Sequence, residues 1–220
     1  MKKTHLAMAA LTGLMAAIAG QARATTVDVT FSGPGVSGAL VLTYGAAADA
    51  KYPNAYEVTG ISGTFSDSNN GLNIVNAPVG SLVAINHATP EATNLLAPND
   101  FSRFAVASGL PVQNNGFLTY DNLFWPGGSP QTASDYPPHG GFLDIYGLMF
   151  NIDSNEVVDF WSNGVTAGTA DYGVAVATAA QALDYVGGGV SASVPEPTSL
   201  WLFGAGLIGL VFRRRRTAAV

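Results

Sequence analysis

Alternation of apolar and polar residues runs through the middle of the chain. In Val27–Phe31 every second residue is apolar, which is the period of a strand with one buried face. In Tyr56–Phe65 the alternation changes phase across Gly60, which predicts a bulge in that strand. The remaining runs of strand-like composition are Ala39–Tyr44, Leu82–Ile85, Phe117–Phe124, Phe142–Ile152, Val157–Trp161 and Tyr172–Ala177. The pattern predicts an all-β domain.

Three Asn-Gly pairs separate these runs: Asn70-Gly71, Asn115-Gly116 and Asn163-Gly164. The pair is preferred in tight hairpin turns, because both turn positions need positive φ. Thr169–Ala180 contains enough alanine for a helix, but its glycine and β-branched residues favour a strand. Hairpin turns between apolar runs indicate antiparallel strands, so we expect an antiparallel β-sandwich or a jelly-roll-like domain.

The N-terminal segment follows a different pattern. Lys2 and Lys3 precede an apolar stretch that ends at Gly20, and Ala22-Arg23-Ala24 follows it. This order of basic, apolar and small residues predicts a secretory signal helix over residues 1–24, cleaved after Ala24 during export by the Sec machinery. An uncleaved anchor helix is the alternative, and it is disfavoured because a bilayer requires roughly 20 apolar residues.

The C-terminal segment holds three features in order. Pro195-Glu196-Pro197 is followed by an apolar segment over residues 199–212, and then by a basic cluster of Arg213, Arg214, Arg215 and Arg216. The apolar segment predicts a short hydrophobic helix that inserts transiently in the inner membrane. The arginines should hold its end in the cytoplasm, which leaves the β domain outside. A simple membrane anchor is the alternative.

These three features resemble the PEP-CTERM sorting signal over about residues 194–216. The resemblance implies that an exosortase cuts near Pro-Glu-Pro and sends the domain to the cell surface or the medium of a Gram-negative bacterium that makes exopolysaccharide. It divides the chain into a signal peptide (1–24), an exported domain (25–193), a sorting tail (194–216) and a short extension (217–220). The spacing of the stretch from Tyr120-Asp121-Asn122 through Gly140-Gly141-Phe142 to Trp161-Ser162-Asn163-Gly164 also resembles a group of PEP-CTERM proteins of unknown function, and this resemblance implies no reaction.

The formal charge of the predicted exported domain limits the classes of partner that it can bind. Between Thr25 and Ser193 only Lys51 and Arg103 are basic, against fourteen acidic residues, so the formal net charge is −12. A domain this acidic repels nucleic acid and anionic lipid, and nucleic acid is excluded as a partner. The chain has no cysteine, which excludes disulfides, thiol chemistry and cysteine-based zinc sites.

A long segment rich in proline and glycine lies between Leu123 and Phe142. Such loops are uncommon in compact domains unless they are used. Aromatic rings stack on pyranose faces and carboxylates bind sugar hydroxyls, so aromatic residues beside acids suit a carbohydrate-binding surface. We predict such a surface at four side chains: Trp125, Tyr136, Asp121 and Asp144. Packing of these aromatics onto the sandwich is the alternative.

Acidic residues also raise the question of a metal ion. Asp121, Asp144 and Asp159 offer oxygens that calcium prefers, and Asp67–Gly71 and Asp153–Glu156 have alternate oxygen-bearing residues. Turns use the same residue types, so no cofactor is expected, with calcium as the alternative. No zinc spacing or nucleophile motif occurs. We therefore expect a non-enzymatic envelope or extracellular-matrix protein associated with exopolysaccharide; a carbohydrate-binding module and, less favoured, a glycan-active enzyme are the alternatives.

Overall fold

The computed structural model describes residues 24–85, 102–106, 116–130, 139–152 and 155–195. These ranges contain one 3-10 turn, Asn69–Gly71, and no α-helix. The strands are β1 Thr25–Ser32, β2 Val36–Tyr44, β3 Tyr56–Asp67, β4 Ile74–Pro78, β5 Ser102–Ala105, β6 Phe117–Tyr120, β7 Leu123–Phe124, β8 Leu148–Asn151, β9 Val157–Thr166, β10 Thr169–Ala177 and β11 Ala182–Ser193. Their pairings are antiparallel, which confirms the predicted fold class.

Nine of the strands form one sheet built from two meanders. The order is β4-β3-β2-β1-β11-β10-β9-β8, with β7 paired to β3. Each meander consists of sequential neighbours, and the first and last strands join the two. The joint is short, because β1 and β11 are in register only from Thr30↔Ser193 to Ser32↔Ser191. The two ends of the exported domain therefore lie side by side.

The sheet curls until the two meanders face one another. Phe31 of β1 stacks on Phe160 of β9 with ring centroids 4.5 Å apart, although two strands separate β1 from β9 in the sheet. At the far edge, the segment after β4 meets β8, where the Asn151 N–H donates to the Ser81 carbonyl at 2.8 Å. The result is a sandwich-like domain whose main core lies between the meanders.

Aromatic rings fill this main core. Phe65, Phe160 and Tyr172 are almost wholly buried, and Phe160 contacts Tyr172 with ring centroids 5.5 Å apart. The Tyr172 hydroxyl accepts a hydrogen bond from the Phe142 N–H at 3.3 Å, and burial raises the pKa of Tyr172 to about 12. Each buried ring of this kind contributes about 2 to 3 kcal/mol of transfer free energy. The packed aromatic core therefore supplies stability that a chain without cysteine cannot obtain from disulfides.

A second, smaller core lies on the outer face of β8–β11. Residues of β9 alternate between the two faces, so Val158 points into the main core and Val157 points outward. The β5–β6 hairpin covers the outward face, where Leu118 packs near Met149. Because both faces of β9 are covered, consecutive residues of this strand are buried instead of alternating between buried and exposed.

One predicted hairpin turn is wrong. The Asn163-Gly164 pair lies inside β9, where Asn163 is an extra residue opposite β10 and Gly164 has φ 85°. The turn itself is made by Ala167 and Gly168, with φ 52° and 83°. Positive φ serves a bulge as well as a turn, so the dipeptide alone does not distinguish them. Asn115 lies outside the described residues, whereas Asn70-Gly71 does form a turn between β3 and β4.

Several predicted strands change their limits. The bulge predicted at Gly60 is confirmed one residue earlier, since Thr59 is the unpaired residue of β3. Phe117–Phe124 divides into β6 and β7 because Asn122, with φ 54°, interrupts it. Only the second half of Phe142–Ile152 is strand, and Leu82–Ile85 makes a single bridge between Leu82 and Phe150 rather than a strand.

Candidate functional site

The last strand leads directly into the predicted sorting tail. β11 pairs with β1 up to Ser193, whose hydroxyl lies 3.0 Å from the Thr30 hydroxyl, and Val194 packs against the main core. Pro195 has no N–H and cannot extend the ladder. The chain therefore leaves the fold at Pro195. The other predicted sorting residues lie outside the described residues: Glu196, Pro197, Arg213, Arg214, Arg215 and Arg216.

The predicted N-terminal cleavage point has a matching position. Ala24 is exposed and immediately precedes β1, which begins at Thr25. β1 runs antiparallel to β11, so Thr25 and Pro195 lie toward the same end of the sheet. Both predicted processing positions therefore border one strand pair of the folded domain.

The residues of the predicted sugar-binding surface are buried. Only 2% of Trp125 is exposed, because it packs with Ala55 and Leu123 and against the Tyr52 ring at 5.5 Å. The pairing of β7 with β3 holds this segment against the sheet. Asp121 and Asp144 are also buried, and Tyr136 lies outside the described residues. In this structure, then, Trp125 and its two acidic neighbours offer no open ring face or carboxylate to a ligand.

Asp144 organises the turn that leads into β8. Its Oδ1 accepts hydrogen bonds from the Tyr146 N–H at 2.9 Å and the Gly147 N–H at 3.2 Å. Gly147 has φ 68°, and a side chain at that position would collide with the backbone of Phe160. The Asp144 carbonyl accepts from the Ser162 N–H at 2.8 Å. Asp144 is therefore a turn-forming residue that ties this segment to β9.

Behind this turn, the Asp144 carboxyl group interacts with those of Asp121 and Asp159. Burial raises the pKa of Asp144, whose side chain also hydrogen-bonds with that of Asp121. Burial raises the pKa of Asp159 well above its ordinary value, and the Asp144 charge raises it further. Because burial disfavours the charged form, Asp144 and Asp159 hold their protons to higher pH than free carboxyl groups do.

Calcium binding by these residues remains a prediction. Within the part of the chain that the structure describes, no group of three or more His, Cys, Asp or Glu side chains is arranged to hold a metal ion. One carboxyl oxygen of Asp144 already accepts hydrogen bonds from two backbone N–H groups. Asp153, one end of the second predicted calcium segment, lies outside the described residues.

Asp67, in the first predicted calcium segment, lies beside the carboxyl group of Asp184, a neighbour that the sequence did not reveal. Asp184 of β11 accepts hydrogen bonds at 2.8 Å from the side-chain amides of Asn69 and Asn70, and Asp67 Oδ1 accepts from the Asn69 N–H. The other Asp67 oxygen is buried without a hydrogen-bond partner among the described residues. Burial, and then the Asp184 carboxylate, raise the pKa of Asp67 to about 6.

Comparison with known families identifies the tail. Residues 193–216 match the PEP-CTERM protein-sorting motif, so the chain carries this sorting signal, and the signal implies processing by an exosortase. No curated protein and no solved structure matches the chain. Among the residues that the structure describes, no helix is long and apolar enough to cross a bilayer, and the predicted tail helix lies outside them.

Proposed function

We propose that this protein is a non-enzymatic component of the cell envelope or extracellular matrix that an exosortase sorts and that associates with exopolysaccharide. The chain would pass through the Sec machinery, insert its tail transiently in the inner membrane, and reach the cell surface or the medium. One observation carries the proposal: the sorting motif begins at residue 193, where β11 ends. A cut at or beyond Pro195 therefore leaves the pairing of β11 with β1 intact.

The electrostatics of the domain support an extracellular role. With only two basic residues between Thr25 and Ser193, the released domain carries a formal net charge of −12, which favours solubility and opposes adsorption to anionic lipid. The same charge favours neutral polysaccharides over anionic ones as partners.

The buried acids support a non-enzymatic role. Glycoside hydrolysis requires two carboxyl groups about 5 to 10 Å apart that face an open substrate cleft. Asp121, Asp144 and Asp159 are each at least nine-tenths buried. The hydrogen bonds that Asp121 and Asp144 accept from backbone N–H groups give these two residues a structural role.

Intact-mass measurement tests the sorting part of this proposal. Protein is recovered from membranes and medium of the host with and without its exosortase. We expect a released species from Thr25 to near Pro195 in the first strain, and a membrane species retaining Arg213–Arg216 in the second. Glu196→Ala should block release, whereas the matched control Glu156→Ala should not. A membrane species that keeps the arginines in both strains would show a simple anchor and overturn the proposal.

A further inference from the structure

An aromatic pair lies on the outer face of β9–β11, beside the second core. The Trp161 indole lies flat over Gly173, where any side chain would collide with the ring. Tyr185 stacks on Trp161 with ring centroids 5.5 Å apart and 26° between the planes. Trp161 is buried, but Tyr185 is 37% exposed, the most exposed aromatic side chain of β9–β11. Trp161 thus forms a rigid support on which Tyr185 rests.

Polar groups are fixed beside this pair. The Asn163 amide oxygen accepts from the Trp161 Nε1–H at 3.0 Å, and its nitrogen donates to Asp171 Oδ2 and to the Gly187 carbonyl, each at 2.9 Å. Asp171 Oδ1 accepts from the Gly189 N–H at 2.7 Å. Asp171 is only half-buried, so lone pairs of its carboxylate remain available to further donors.

Three consecutive glycines border the same place. Gly187, Gly188 and Gly189 carry no side chains, so the β11 backbone is bare beside Tyr185 and Asp171. A Cβ at Gly188 would lie 2.9 Å from Asp171 Oδ2, and one at Gly187 would lie 2.9 Å from the Tyr185 ring. Glycine at these positions preserves both the ring and the carboxylate in their observed places.

We propose that these residues form a binding surface for a neutral polysaccharide chain, here called the Tyr185 surface: Trp161, Tyr185, Asn163, Asp171 and Gly187–Gly189. A pyranose ring can stack on Tyr185 while its hydroxyl groups donate to Asp171. The bare glycine backbone permits close approach of the sugar. This proposal rests on the proposed association with exopolysaccharide, and it moves the contact away from Trp125, which is buried.

The charge of the surface selects the class of glycan. β9, β10 and β11 contain no lysine or arginine, and Asp171 is partly exposed. Uronate or sulfate groups would be repelled by this carboxylate and by the acidic domain as a whole. A neutral hexose polymer meets an aromatic ring and hydrogen-bonding groups without charge repulsion.

The ring is held in place before any ligand arrives. Trp161 supports one face of Tyr185. Burial, with the charge of Asp159, raises the pKa of the Tyr185 hydroxyl. A side chain that is already ordered loses little conformational entropy on binding, which favours affinity. Tyr185 nevertheless remains 37% exposed.

Affinity gel electrophoresis tests the Tyr185 surface. The full chain is purified in lauryldimethylamine oxide, which has no sugar headgroup, and run through gels that contain hydroxyethylcellulose, laminarin, galactomannan, dextran or alginate. We expect retardation by at least one neutral polymer and none by alginate. Tyr185→Ala should weaken that binding at least tenfold, and Gly188→Ala should weaken it by displacing Asp171. Val75→Ala, at an exposed apolar residue of β4, is the matched control and should change nothing.

Two outcomes overturn the proposal: no retardation by any neutral polymer, or unchanged retardation of Tyr185→Ala. Circular dichroism shows whether each variant is folded, and Tyr185→Leu, which keeps an apolar contact with Trp161 but no ring, replaces Tyr185→Ala if that variant unfolds. Failure here leaves the mass test of sorting unaffected, because that test needs no glycan. Failure of sorting equally leaves the gel result standing.

Discussion

Two groups of buried carboxyl side chains in this domain have different hydrogen-bond donors around them. At the rim, Asp184 accepts hydrogen bonds from two side-chain amides, and one oxygen of Asp67 is buried without a hydrogen-bond partner among the described residues. Behind the turn at Asp144, the Asp144 carboxyl group interacts with those of Asp121 and Asp159, and backbone N–H groups donate to Asp121 and Asp144. Side-chain amides supply hydrogen-bond donors at the rim, whereas in the inner group burial raises the pKa values of Asp144 and Asp159. The two groups should therefore respond differently to mutation and to pH.

The inner group should show the largest effect of a single substitution. Asp144→Ala leaves the buried N–H groups of Tyr146 and Gly147 without an acceptor, and we expect a loss of about 3 kcal/mol in the free energy of unfolding. Urea denaturation at pH 7 measures it. Asp144→Asn keeps an oxygen acceptor and should stay within about 1 kcal/mol of the parent chain. Equal losses in both variants would show that the acceptor does not matter.

Next in size is the pH dependence at the rim. Because the pKa of Asp67 is raised from 3.8 to about 6 in the folded state, its contribution is fully present below pH 3.8 and is lost as the pH rises through 6. Allowing for solvent at the rim, this contribution is about 2 kcal/mol. Urea denaturation from pH 4 to pH 9 should therefore show a shallower decline between pH 4 and pH 6 in Asp67→Asn.

Asp159→Asn sharpens the same measurement. Asp67 is already ionised above pH 7, so any further decline in stability there comes from the inner group, whose pKa values are raised as well. Asp159→Asn should reduce that decline at higher pH, and Asp67→Asn should leave it unchanged. If either substitution altered both pH ranges equally, the two groups would be one coupled system.

The smallest effect is expected for the amide donor at the rim. Asn70 has φ 52°, so replacement by glycine keeps the backbone conformation and removes the amide's hydrogen bonds to Asp184 at 2.8 Å and to the Leu183 carbonyl at 3.2 Å. We expect Asn70→Gly to cost about 0.5 to 1 kcal/mol by thermal or urea unfolding. Asn76→Gly, at a left-handed position of β4 with φ 49°, is the control for the glycine itself. A larger loss in the control would remove the amide as the cause.

Local patterns predicted the parts of the fold that depend on neighbours in sequence. The alternation in β1 and the change of phase near Gly60 arise within a few residues, and both appear in the structure. The turn predicted at Asn163-Gly164 was wrong because the positive φ of Gly164 belongs to a bulge in β9. The second core was not predictable from any one segment, since β5 and β6 cover β9 from distant parts of the chain.

The sites depended even more on distant contacts. Asp184 lies 114 residues from Asn70, and nothing in either segment points to the other. The sequence around Trp125 predicts a loop with an accessible aromatic ring, but the pairing of β7 with β3 packs Trp125 against Ala55 and buries it. The sorting motif was predictable because its order of proline, apolar and basic residues is itself the signal that is recognised.

The pairing of β1 with β11 has a consequence for the timing of folding. β1 is synthesised first, but Thr30 meets Ser193 only after 163 further positions of chain have followed. Closing a loop of that length is a late and slow event. Until the last strand is available, the sheet stays divided into two unjoined meanders. Closure of the sheet therefore waits for the strand that immediately precedes the sorting motif at residue 193, so the step that completes the fold also brings that motif to its edge.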